Sequence, residues 1–187
     1  MTDPADILCV ADVAGWRAWL DANDGTSDGV WLMLAKKGTT EPTSLTYAQA
    51  LDEALCSGWI DGQKRSNDES TFLQRFTPRR PRSVWSARNV EHIERLGAEG
   101  RMTAQGIARV EAAKADGRWE RAYAGSADAV VPEDLAAALA ADPRAAARFE
   151  AMTKSQRYGI LHPLMTAATP ETRARRLAKA LGSLSEL

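Results

Sequence analysis

Two cysteines and two histidines in 187 residues leave little material for several kinds of chemistry. Cys9 and Cys56 are too few and too widely spaced to frame a disulfide-built fold, and a reducing compartment keeps both as thiols. With His92 and His162 they reproduce none of the local spacings of a metal site, so no metal is expected. There is no GxSxG elbow, no phosphate-binding glycine loop, no HExxH and no dinucleotide fingerprint, so no cofactor is expected either. No apolar run approaches the roughly 20 residues that cross a bilayer. The N-terminal MTDPADILCVADVAG lacks a basic region followed by a long apolar stretch, which argues against a signal peptide. Together these absences predict a cytoplasmic protein without a transmembrane segment. Net charge is also scarce. At -1, with a pI near 6.2, the chain as a whole disfavours nucleic acid as a partner.

What is present suits a folded protein. Apolar residues make up 44% and charged residues 26%, ordinary values that argue against bulk disorder. The length allows one large domain, or one domain with a helical extension. Six tryptophans are many, and an exposed indole is unfavourable, so several belong in a core and one or two at a site.

The patterning divides the chain into two halves. Asp12 is positioned to cap an amphipathic helix through Ala22, with Val13, Trp16, Trp19 and Leu20 on one face. The apolar run Val30–Ala35 is too short for a helix and predicts a buried strand. Thr46 and Gln49 form a capping box opening a helix that ends near Gly58. Residues 59–65 and 70–77 predict a hairpin around Ser66–Glu69, cut off by Pro78 and Pro81. Ser83 and Thr103 are placed to cap two further helices. A less regular stretch, Arg118–Val131, leads to short alanine-rich segments at 132–141, 143–153, 155–167 and 170–184. Three of them begin with proline, which the first helical turn tolerates. The expected class is α+β: an N-terminal mixed α/β layer with a small sheet, then an all-helical C-terminal part. The expected domains are residues 1–123 and 132–187.

The densest collection of unlike functional groups is GWIDGQKRSNDESTFLQRFTPRRPRSVWSARN, residues 58–89. From Gly62 to Val90 seven bases face two acids, a local charge of +5, so the rest of the chain carries -6. A basic, aromatic strip on an acidic protein suits an anionic partner. Arg75, Arg79, Arg80 and Arg82 surround two prolines that restrict the backbone, and guanidinium groups grip carboxylate or phosphate in bidentate fashion. The alternative is a solvated loop whose arginines stack on neighbouring indoles. Ser83 at a helix start, with Trp85, Ser86 and Asn89 in the following turns, adds backbone N–H groups and a dipole that favour anions. In a strand, Trp59 and Asp61 share a face while Ile60 points inward. Asp61 reads either as an ion-pair partner of Arg75 or Arg79, or as an acid or base acting on a small substrate. The candidate ligand-binding residues are thus Trp59, Asp61, Arg75, Arg79, Arg80, Ser83, Trp85, Ser86 and Asn89. In the tail, Arg173, Arg176 and Lys179 lie at helical spacing, as a solvated face or a polyanion contact.

The segments WRAWL, SDGVWLMLAKKG, YAQALDEALCSGWIDGQ and FLQRFTPRRPRSVWS, followed by RMTAQGIARVEAAKADGRW and PETRARRLAKAL, carry a resemblance. The chain is similar to the YdeI/OmpD-associated (OmdA) family of bacterial proteins, also labelled bacteriocin-protection proteins. GWID and F-x-P-R-x-P-x-S-x-W-S are the most specific of the shared motifs. Ala167-Ala168-Thr169 departs from the lysine-bearing segment that members carry before PETR, which moves attention to the central strip. The resemblance implies a cytosolic bacterial protein tied by name to envelope stress and a porin, and it brings no catalytic residues with it. The functional expectation is a protein that binds an anionic small molecule or acidic peptide at the Arg/Trp-rich surface. A single-stranded nucleic-acid binder and an enzyme using Asp61 on a small anionic substrate are the alternatives, and no protein partner is indicated.

Overall fold

A computed structural model describes residues 7–185. Its elements, in chain order, are β1 (Ile7–Leu8), α1 (Val13–Asn23), β2 (Val30–Ala35), α2 (Tyr47–Cys56), β3 (Trp59–Ser66) and β4 (Thr71–Pro78). Eight helices among the described residues are completed by α3 (Ala87–Ala98), α4 (Ala104–Ala115), α5 (Glu133–Ala141), α6 (Pro143–Ala151), α7 (Lys154–Met165) and α8 (Pro170–Ser185). The protein is α+β, with its strands in the N-terminal half and helices dominating the rest.

The described residues fall into two units. The first runs up to Ser83 and resumes over Asn89–Trp119; the second comprises Val84–Arg88 and the chain from Glu120 onward. In the first unit the sheet has the order β1-β2-β4-β3. β2 and β4 pair antiparallel from Val30 opposite Phe76 to Ala35 opposite Thr71. β3 and β4 form the expected hairpin, with a bulge between Asp61 and Lys64. The bulge is stabilised by buried Gln74, whose amide donates to the carbonyls of Gly62 and Gln63. One sheet face carries Leu32, Leu34, Phe76 and Trp59. Trp16 of α1 packs there, 5.4 Å from Phe76 and edge-on to Trp59, and its indole N–H donates to Ala50 O of α2 at 3.1 Å. Four tryptophans, at 16, 31, 59 and 85, are buried.

The capping predictions for α1, α2 and α4 hold: Asp12 accepts from Gly15 N, Thr46 and Gln49 form the reciprocal box, and Thr103 accepts from Gly106 N. Gly58 takes φ of 75° just past Ser57, the C-terminal cap of α2, where a left-handed residue ends the helix. Four features differ from the sequence reading. β1 is an extra strand, parallel to β2, and its two residues are too short to give a periodic signal. Pro78 does not stop β4 but closes it, opposite Trp59, a terminal position where a missing N–H costs no ladder bond. Trp59 turns inward, not Ile60, which is only half-buried. The helix expected from Ser83 begins at Ala87 instead, because the backbone before it is already engaged. Ala87 N donates to Tyr123 O and Tyr123 N to Trp85 O, both at 2.9 Å.

The second unit has its own core of Leu135, Leu139, Phe149, Leu161, Leu164 and Leu184. Arg173 of α8 reaches α5, donating to both carboxylate oxygens of Asp134 at 2.7 and 2.8 Å. α7 starts from a second capping box, Thr153 with Gln156, and contains Pro163. Among the described residues no helix is long and apolar enough to cross a membrane.

Candidate functional site

The two faces of the sheet separate residues that the sequence set side by side. Asp61 lies opposite Phe76, on the face of Trp59 and the α1 tryptophans. Arg75 is the neighbouring position on β4 and so projects to the other face, opposite Trp31. There its guanidinium extends toward Gly29, while Arg65 stacks on the Trp31 ring at 4.1 Å. Lys64 covers the Phe72 ring at 4.3 Å. Part of the strip's charge therefore rests on aromatic rings. Asp61 accepts a hydrogen bond from the Tyr47 hydroxyl at 2.7 Å, where the sequence suggested Arg75 or Arg79.

Of the remaining candidates, Trp59, Arg79, Trp85 and Asn89 are buried. Arg79 is held by its backbone, N–H to Gly58 O at 3.0 Å, and only 3% of it meets solvent. A direct ligand contact from any of these four needs a rearrangement. Trp85 and Ser86 belong to the second unit, the other candidates to the first.

Arg80 is exposed, as is Arg82, and both sit on a turn that is unusually well fixed. Pro81 occupies its first central position, where the ring presets φ. Ser83 N donates to Arg80 O at 3.0 Å and Arg80 N donates to Ser83 Oγ at 3.1 Å. Arg118 Nη1 donates to Ser83 O at 2.9 Å, and its own Nε is held by the Asp116 carboxylate at 2.8 Å. Ser83 thus closes a turn rather than capping a helix. Three guanidinium-bearing residues, at 80, 82 and 118, gather at one short rigid segment. Arg118 was not picked out by the sequence, since it joins the turn from 35 residues away.

The densest ionic cluster lies elsewhere in the first unit and also escaped sequence reasoning. Asp52 accepts from Arg95 Nη2 at 2.7 Å and lies 3.0 Å from His92 Nδ1. Glu53, buried on the same helix, pairs with Arg101 at 2.7 Å and with Arg17. Arg95 and Arg101 both reach Glu99, and their hydrogen bonds hold its carboxyl below the usual range. The network ties α1, α2 and α3 together. Beside it, burial pushes the Cys56 thiol up to about 11, which leaves it neutral and unreactive at ordinary pH. Among the described residues no group of three or more His, Cys, Asp or Glu could hold a metal ion.

These features define an α+β protein whose sheet-bearing unit presents a fixed cationic turn beside a buried aromatic core. The chain belongs to the family defined by a domain of unknown function (DUF8412), whose model matches residues 8–109, and residues 128–186 match the family described as Bacteriocin-protection, YdeI or OmpD-Associated (OmdA). The OmdA resemblance therefore holds, but the match lies in the tail. GWID and the arginine-proline motif fall within the other family's model. No curated protein and no solved structure matches the chain.

Proposed function

We propose that the protein binds an anionic small molecule or acidic peptide at the Arg80–Ser83 turn. The observation that carries this reading is the turn itself: two exposed arginines on a proline-set backbone, braced by Arg118. A preorganised donor set loses less conformational freedom on binding than arginines on a mobile loop. Arg75 and Asp61, on opposite faces of the sheet, and buried Trp59, Arg79 and Asn89 belong to the same unit as the turn. Trp85 and Ser86 lie in the second unit. The binding domain is residues 1–123, the helical domain residues 132–187, and the setting is the cytoplasm, where Cys9 and Cys56 stay reduced. The family description of the tail suggests a role in envelope protection or stress. Comparing bacteriocin survival of strains with and without the gene tests that role.

Titration calorimetry with pyrophosphate, nucleoside phosphates and a polyglutamate peptide tests the site. Saturable binding of at least one is expected. The Arg80→Ala/Arg82→Ala variant should lose about tenfold or more, equivalent to one charge-assisted contact, while melting as the parent does. Absence of saturable binding across the panel, or full affinity in the double variant, overturns the reading.

A further inference from the structure

In the second unit, α7 and α8 enclose a groove of about 350 Å³ lined by Gly159, Ile160, Pro163, Arg176, Lys179 and Ala180, among others. Its size is at the lower end of small-molecule sites. Its floor is apolar for identifiable reasons. Gly159 has no side chain, and a Cβ placed there would meet nothing within 4 Å, so open space lies above that turn. Pro163 supplies a ring and no N–H, and Ile160 and Ala180 complete the apolar lining.

The basic residues of α8 divide by role. Arg173 is occupied by Asp134 and by Leu164 O. Arg176 lies on the groove wall, fixed by donating Nη1 to Pro163 O at 2.6 Å. Lys179 follows three residues later, on the same helix face, and is exposed. Among the described residues no carboxylate pairs with Arg176 or Lys179, and no acidic side chain lines the groove. An apolar trough with two cations at its wall complements a molecule that is apolar for most of its length and anionic at one end.

We propose that this groove binds a small carboxylate amphiphile, with its head between Arg176 and Lys179 and its apolar body over Gly159, Ile160 and Pro163. The site is separate from the Arg80–Ser83 turn and does not depend on it. The test is a titration of the full chain with octanoate, far below its micelle concentration, followed by amide shifts in two-dimensional NMR. Octanol and octylammonium serve as controls. Octanoate should give saturable shifts at Gly159, Ile160 and Ala180, and neither control should do so. Lys179→Glu should weaken binding about tenfold, the scale of one lost charge contact. Gly159→Leu should block the groove without unfolding the helix, since its side chain enters open space. Arg80→Ala/Arg82→Ala should bind octanoate as the parent does. Equal shifts with octylammonium, retained affinity in Gly159→Leu, or no saturable shifts at these amides would each overturn the proposal.

Discussion

Trp85 and Arg80 stand five positions apart and have opposite fates. Trp85 is 2% exposed, whereas Arg80 faces solvent. Trp85→Ala should cost about 3–5 kcal/mol, as truncating a buried indole does, and Arg80→Ala should stay within about 0.5 kcal/mol. Urea melts separate the two, and an unchanged midpoint for Trp85→Ala would contradict its role in the core. The cysteines divide in the same manner. Cys9 is exposed, and Cys56 is buried with its thiol raised to about 11. A chromogenic disulfide reagent at pH 8 should titrate one thiol in the native protein and two after denaturation.

Asp68 makes a pH prediction at the same scale. It organises the β3–β4 loop, accepting from the N–H groups of Ser70 and Thr71 at 2.8 and 2.7 Å and from the Thr71 hydroxyl at 2.7 Å. The Thr71 side-chain bond and the Ser70 backbone bond lower its carboxyl from the usual 3.8 to about 2. A depressed folded-state pKa means that the stabilisation is complete above the unfolded value and is lost as pH falls through about 2. Asp68→Ala should therefore melt lower than the parent at pH 6, and the gap should close as pH approaches 2. A gap that stays constant with pH would show that the carboxylate charge is not what orders the loop.

At the scale of elements, the contact between α2 and α4 is governed by one missing side chain. A Cβ on Gly106 would lie 2.1 Å from Cys56 O. That carbonyl cannot retreat freely, because Thr103 N and Thr103 Oγ1 both donate to it, at 3.0 and 2.9 Å. Gly106→Ala should therefore destabilise by about 1–3 kcal/mol or more through overpacking. Gly159→Ala is the matched control. Its Cβ meets nothing within 4 Å, and removing a glycine from a helix interior should stabilise by about 0.5–1 kcal/mol. Thermal denaturation followed by circular dichroism reads both, and shifts of the same sign would defeat the packing account. The ion network around Asp52 and Glu53 operates at this scale too. It links helices far apart in sequence, as with Asp52 and Arg95, 43 residues apart.

For the molecule as a whole, charge is uneven rather than large. The +5 segment sits in a chain of net -1, and two of its bases lie against aromatic rings. Polyanion binding driven by phosphate contacts requires several free cations and falls steeply with salt. Single- and double-stranded oligonucleotides should therefore give no gel shift at physiological ionic strength. A shift at that ionic strength that weakens as salt is added would restore the nucleic-acid alternative. A small anion at the Arg80–Ser83 turn needs only the local field, so its binding should weaken with salt yet persist.

The α+β class, the strand at Val30–Ala35, the hairpin and the caps at Asp12, Thr46 and Thr103 were legible from the sequence. Each depends on neighbours within a few positions: alternation of apolar residues, or a side-chain oxygen reaching an N–H two or three residues ahead. The strip at 58–89 was also visible as composition. Its sorting was not. Whether Asp61 and Arg75 meet is decided by strand register, which puts them on opposite faces. Whether Arg79 is a clamp or a buried residue is decided by packing around the end of β4. Arg118, the Asp52 cluster and the groove between α7 and α8 arise from groups brought together across long separations. Local pattern carries no record of such meetings, because they depend on where the chain returns in space.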